Sequence, residues 1–313
     1  MKDAKKIFFE LREGIQLKIP ASEREAIAFL ILEHYGIDKT QVVTSASVEF
    51  PTESLPGVLS RINSGEPVQY VLGFIRFRDF LFQVNRNVLI PRPETEELVD
   101  IVLQRSEVNS NLRVLDLGTG SGAIAVTLAL LRPAWEVMAT DISALALEVA
   151  KRNAKDHGVA DRLTFQLSDM RSFVSPHAKK FNVIISNPPY IGWEERGTLA
   201  PTVIEHEPIL ALFAPEGDPL AFYRTISDIA LKYLELSGLL AVEINSAYGD
   251  EVMEIVKLKG FENIGLVQTM KRFNLSISAI NTIFKGHELP KIDCKSIYEL
   301  VFNDKVIDEN IFK

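Results

Sequence analysis

Val114-Leu115-Asp116-Leu117-Gly118-Thr119-Gly120-Ser121-Gly122 reads as a short buried strand that runs into a glycine-rich turn and opens a helix at Ala123. Glycine permits positive φ and lets the backbone approach a bound group with no Cβ in the way. The helix start beyond it offers N–H groups that lack intrahelical partners. With Ala123 the stretch also meets the G-x-G-x-x-G/A spacing of dinucleotide sites, so the turn alone leaves its ligand open. A tight turn that binds nothing is the plainest alternative.

Outward from this turn, strand and helix alternate. Residues 123–131 read as a helix closed by Pro133, Glu136 to Thr140 as a strand, and Ser143 to His157 as a helix stopped by Gly158. Leu163 to Leu167, Phe181 to Ser186 and Leu239 to Ile244 read as further strands. Such alternation predicts an α/β, doubly wound and mostly parallel sheet, with its ligand at the carboxyl ends of the strands. Three acids fall at such ends. Asp116 suits a ligand with a cationic amino group and disfavours a pyrophosphate. Asp141 lies at the end of the next strand, where a ribose-hydroxyl acceptor is expected, with an N-cap-like role before Ser143 as the structural alternative. Asp169 is placed to accept from an adenine amino group or simply to solvate its loop. Together they favour a nucleoside carrying an amino-acid tail.

Asn187-Pro188-Pro189-Tyr190 ends the strand from Phe181. Two prolines remove two donors and fix φ, and each restricts the residue before it. The result is a stiff turn that presents carbonyl oxygens beside the Asn187 amide and the Tyr190 ring. That surface suits a planar NH₂ group, whose nitrogen is a poor nucleophile. Accepting both its N–H bonds, through Asn187 and the Pro188 carbonyl, favours a more tetrahedral nitrogen and aligns it with a methyl donor. A plain Pro-Pro turn with a packed tyrosine is the structural alternative.

Upstream, residues 1–66 read as a small helical bundle. Ser22 with Glu25 forms a capping-box pattern and Gly36 a stop. Residues 67–91, with Val68, Tyr70, Phe74, Phe77, Phe80 and Phe82, read as extended strands of a hairpin connector. A third segment runs over 92–286, and 287–313 reads as a tail.

Gly118 to Gly122, Asn187 to Tyr190 and Ile90-Pro91-Arg92-Pro93-Glu94-Thr95-Glu96 together resemble the protein-(glutamine) methyltransferases that modify peptide-chain release factors. The similarity runs from about Gly65 to Ile244 and fades after Phe261. It implies a Rossmann-like class I fold that uses S-adenosyl-L-methionine, with a helical N-terminal domain that helps to grip the release factor. Gly118, Thr119, Gly120, Ser121, Gly122, Asp141, Met170 and Asn187 would then bind the cofactor, with Met170 beside the adenine. Asn187, Pro188, Pro189 and Tyr190 would form the glutamine pocket, and Asn187, Pro188 and Tyr190 would carry the chemistry. Arg92 and Glu94 would line the site or form an interdomain ion pair. Glu205-His206-Glu207-Pro208 resembles a structural segment of the family and lacks the histidine spacing of a helical zinc motif.

Other classes fit less well. An N6-adenine nucleic-acid methyltransferase shares the Asn-Pro-Pro-Tyr chemistry, but a net charge of −8 without a basic reading domain argues against nucleic acid. A nicotinamide dehydrogenase explains the glycines and not Asn187. A cofactor-fold binding protein has no need of an intact Asn187. The scattered histidines predict no metal. No apolar run of about 18 residues predicts a membrane span. A single cysteine, Cys294, excludes an internal disulfide and fits the cytoplasm. A monomer is expected.

Overall fold

Five parallel strands form the centre of the computed structural model, which describes residues 1–51, 53–106, 110–176, 179–268 and 277–281. They are β1 (Arg113–Leu117), β2 (Glu136–Asp141), β3 (Leu163–Leu167), β4 (Phe181–Ser186) and β5 (Leu234–Asn245). β6 (Gly265–Gln268) and β7 (Ile277–Asn281) complete the sheet in the order β6-β7-β5-β4-β1-β2-β3. β1 pairs in parallel with both β2 and β4, whereas β7 lies antiparallel to β5 and to β6. Strand order reverses at β1, so a crevice opens at the carboxyl ends of β1 and β4. The continuous apolar runs of β1 and β4 have their reason here, because helices cover both faces. Leu98 and Val102 of helix Pro93–Arg105 pack on one face with Val126 and Ala129 of helix Ala123–Leu131. Tyr223, Ile226 and Ile229 of helix Ala221–Tyr233 pack on the other with Val252 and Val256 of helix Gly249–Leu258.

The N-terminal helices Ala4–Gly14, Ala21–His34, Lys39–Val43 and Leu55–Asn63 enclose a core of their own around Ile7, Leu11, Ile31, Leu32 and Ile62. Helix Ala21–His34 starts one residue before the expected cap, with Pro20 at the N-cap and no side-chain capping bond. Ser22 therefore sits inside the first turn, and Glu25 meets Arg12 at 3.3 Å instead. The helix stops as expected before Gly36, which takes φ +74°.

The connector differs from the sequence expectation. Val68 and Tyr70 lie in a helix, Val68–Leu72, and strand pairing begins only at Phe74, where Phe74–Phe77 pairs antiparallel with Phe80–Gln83. Pro67 fixes the entry at φ −53° and Gly73 the exit at φ +83°. Arg61 donates to the Tyr70 and Val71 carbonyls at 3.3 and 3.2 Å, satisfying helix-end acceptors that an alternating pattern does not reveal. Residues 287–313, read as a tail, lie outside the described residues.

Candidate active site

A cavity of about 650 Å³ opens at the carboxyl ends of β1, β2 and β4. The glycine turn forms its floor. Gly120 takes φ +56° and donates its N–H to Asp141 Oδ2 at 2.8 Å. Asp141 Oδ1 accepts from Ser143 N at 2.8 Å, so one carboxylate braces the turn and the start of helix Ala144–Asp156. The cap reading of Asp141 is met by these backbone donors, and the same carboxylate also lies on the cavity wall. Burial pushes its carboxyl up, against the pull of those N–H bonds. A Cβ on Gly120 would meet nothing within 4 Å, which leaves the turn open to the cavity. A Cβ on Gly122 would instead lie 3.1 Å from the Ala150 Cβ. Gly118, Gly120 and Gly122 thus have different reasons: the first two line the cavity, and the third lets two helices approach.

Asp116 does not reach the cavity. It is fully buried and accepts from Thr119 Oγ1 at 2.6 Å. Burial pushes its carboxyl up to about 7, the Thr119 bond pulls it down, and the Asp141 charge pushes it up. The sequence reading of Asp116 as partner of a cationic ligand group is corrected accordingly; this side chain shapes the turn from behind. Asp169 and Met170 both line the cavity. Asp169 is paired with Arg171 at 2.5 Å, and that bond holds its carboxyl below the usual range.

Of the Asn-Pro-Pro-Tyr turn, Asn187 and Pro189 line the cavity, Pro188 is buried beneath it, and Tyr190 turns away. The Tyr190 hydroxyl donates to Glu243 Oε1 at 3.1 Å. Asn187 Nδ2 donates to Thr95 Oγ1 at 3.0 Å, and Thr95 Oγ1 donates to Glu243 Oε2 at 2.7 Å. Thr95 is 4% exposed and Glu243 0%. Burial pushes the Glu243 carboxyl up to about 7, against the hydrogen bonds from Thr95 and Tyr190. Burial, with the Glu243 charge, also keeps Tyr190 well above its ordinary range and therefore protonated.

Sequence reasoning missed Glu243 and Asn153. A lone carboxylate in the apolar run Leu239 to Ile244 is the signal for the first. Asn153 sits on the buried face of its helix, donates to the Ser121 carbonyl at 2.8 Å and to the Gln83 carbonyl at 3.0 Å, and so ties the hairpin to the glycine turn. Arg92 pairs with the buried Glu207 at 2.5 Å and does not line the cavity, and neither does Glu94. Glu207 also accepts from Ile90 N at 3.2 Å, which fixes the connector against the segment after Tyr190. Among the described residues no cluster of acids, histidines or cysteines has the makings of a metal site, and no helix is long and apolar enough to cross a membrane.

Comparison with known proteins bears on this geometry. Residues 96–207 match the family described as Methyltransferase small domain. A release factor glutamine methyltransferase of Bacteroides thetaiotaomicron is 33% identical over 262 residues, covering 82% of this chain and 93% of that protein. One from Lactococcus lactis subsp. lactis is 42% identical over 217 residues, 69% of this chain and 76% of its own. In structure, the hMettl16 catalytic domain in complex with a MAT2A 3'UTR hairpin superposes with a TM-score of 0.52 at 16% identity, over 67% of this chain and 78% of that one. That likeness carries the fold alone.

Proposed function

The chain belongs to the release factor glutamine methyltransferases, and from that premise we propose how its residues divide the work. It methylates the side-chain amide of a release-factor glutamine with S-adenosyl-L-methionine. The finer reading concerns the glutamine of the Gly-Gly-Gln loop, the helical residues 1–66 as a grip on the factor, and the site residues below.

The glycine end fits the nucleoside. Gly120 is open above, Gly118, Thr119 and Ser121 border it, and Met170 closes the side where an adenine would lie. Asp141 keeps a carboxylate at the wall for ribose hydroxyls. The cofactor supplies an electrophilic methyl on a sulfonium.

The asparagine end handles the amide. One observation carries the reading: Asn187 Nδ2 is already committed to Thr95, so the free end of that amide is its acceptor oxygen. Asn187 Oδ1 and the Pro188 carbonyl accept the two N–H bonds of the substrate amide and hold its lone pair toward the methyl. Pro189 stiffens the turn, and Tyr190 anchors it to β5 through Glu243. The glycine end would hold the cofactor's methyl against the amide nitrogen positioned by Asn187 and Pro188, and the departing sulfur would keep the electron pair of the C–S bond. The nitrogen then loses one proton to water, so no strong general base is needed. The cytoplasm, a monomeric enzyme and a protein rather than nucleic-acid substrate fit this reading.

The test incubates the protein with radiolabelled S-adenosylmethionine and an unmethylated release factor, a Gln→Ala variant of its Gly-Gly-Gln loop, or unmethylated DNA. Label on the wild-type factor alone is expected. Label on DNA, or equal label on the variant, overturns the reading.

A further inference from the structure

Glu243 stands behind the amide site without touching the cavity. An ionised carboxylate only accepts hydrogen bonds, and a hydroxyl has a single proton to give. The Thr95 proton goes to Glu243 Oε2 at 2.7 Å, so Thr95 turns lone pairs toward Asn187 and accepts from Nδ2 at 3.0 Å. The Tyr190 proton goes to Glu243 Oε1 at 3.1 Å, so the phenol likewise offers lone pairs elsewhere. Two hydroxyls that read as neutral in the sequence are thereby made directional by one buried charge.

We propose that Glu243 is a positioning residue whose carboxylate, acting through Thr95, fixes the Asn187 amide with Oδ1 toward the substrate nitrogen. The proposal rests on the amide-methylation reading above. Its logic is one of polarity. The substrate NH₂ carries two donors, and every group facing it must accept. A proton on Glu243 turns one of its oxygens into a donor, and either Thr95 or Tyr190 must then surrender its place. If Thr95 turns its proton to Asn187, the amide reverses and Nδ2 confronts the substrate NH₂, donor against donor.

Burial, opposed by the hydrogen bonds from Thr95 and Tyr190, places this switch in the working pH range. Helix Pro93–Arg105 brings Thr95, with the Glu94 charge pushing the carboxyl up, and Arg92 just before it pulls it down. Tyr190 comes from the turn after β4 and Tyr223 from helix Ala221–Tyr233, the latter donating to the Glu243 carbonyl at 3.4 Å. No cation pairs directly with the carboxylate among the described hydrogen bonds and ion pairs, and burial prevails, holding it at about 7. The ionised form is the productive one, so activity rises with pH through about 7.

The experiment measures kcat and KM for methylation of an unmethylated release factor from pH 6 to 9, with cofactor affinity measured separately. The proteins are the wild type, Glu243→Gln, Thr95→Val and Thr95→Ser. In Glu243→Gln the new amide donates where the carboxylate accepted. The expected result is a fall in kcat of about 10-fold or more, KM and cofactor Kd changed by less than about 3-fold, and loss of the acid limb seen in the wild type. Thr95→Val reproduces the fall, and Thr95→Ser, which keeps the hydroxyl, restores most of it. Thr95→Val keeps the test decisive if Glu243→Gln does not fold. An active wild type beside a Glu243→Gln or Thr95→Val protein with unchanged kcat and pH profile overturns the relay alone. A wild type that leaves the release factor unlabelled overturns the functional reading, and the relay with it.

Discussion

The two ends of the cavity are held by opposite means. At the glycine end the braces are near in sequence and largely backbone: Gly120 N reaches Asp141 across 21 residues, and Gly118 N and Thr119 N both bond the Thr140 carbonyl at 2.9 and 2.8 Å. At the asparagine end they are side chains from far away: Asn187 meets Thr95 across 92 residues, and Thr95 meets Glu243 across 148. The first end is a product of one βαβ unit and forms wherever that unit forms. The second exists only once three distant segments have packed. With the roles proposed for these residues, binding of the nucleoside is thereby separated from the geometry that makes the amide react.

Substitutions at the two ends sharpen or break this separation. Asn187→Ala removes the acceptor proposed to face the substrate. The expected loss in kcat is about 10²–10³-fold, with a much smaller change in cofactor affinity, read by steady-state kinetics and calorimetry. If both quantities fall together, the ends are not separate. Asp141→Ala removes a charge-assisted bond to Gly120 N and the proposed ribose acceptor. Such bonds contribute about 1.5–3 kcal/mol, so cofactor Kd weakens roughly 10- to 100-fold, with kcat at saturation near that of the wild type.

The buried acids at the two ends also predict a pH effect on stability. Asp116 and Glu243 both have carboxyls raised to about 7, whereas in the unfolded chain they titrate near 4. The folded protein therefore binds more protons between these values, and the contribution of each group to stability falls as pH rises through about 7. Glu243→Gln removes one of the two. Between pH 5 and 8 the wild type is expected to lose about 1–3 kcal/mol more than this variant, measured by urea denaturation. Equal losses contradict the shift at Glu243. On this account the ionised carboxylate that orients Asn187 carries a cost in stability.

Arg92→Ala gives the smallest effect. Among the described residues it leaves Glu207, 5% exposed, with the Ile90 N–H as its remaining hydrogen-bond donor, at a cost of about 1–2 kcal/mol because Arg92 itself is partly solvated. The connector leads to Thr95 and so belongs to the asparagine end. Urea midpoints are expected to drop, and kcat to fall more than cofactor affinity. The reverse order in kinetics assigns the connector to the glycine end.

The same contrast explains what the sequence revealed. The β1 strand, its turn and Asp141 are legible because their constraints are local: glycine conformations, a helix start and an acid one strand later. The parallel sheet follows from the same spacing. Asn187 is legible because two prolines leave a donor-free turn. Thr95 and Glu243 are not, because a threonine in a helix and a glutamate in a strand acquire meaning only from each other across 148 residues. Asp116 misled for a related reason. Its position at a strand end suggests a ligand, and only packing shows that Thr119 holds it behind the turn. In the connector, Val68 and Tyr70 alternate like a strand, but Pro67, Gly73 and Arg61 make a helix of them.

The separation of binding from reaction is tested most directly by single-turnover methyl transfer to the release factor, run with Asp141→Ala and Asn187→Ala side by side at rising cofactor concentration. The account predicts that Asp141→Ala climbs to nearly the wild-type rate once saturated, while Asn187→Ala stays about 10²–10³-fold slower at every concentration. Recovery of Asn187→Ala at high cofactor, or a persistent defect of equal size in Asp141→Ala, contradicts it.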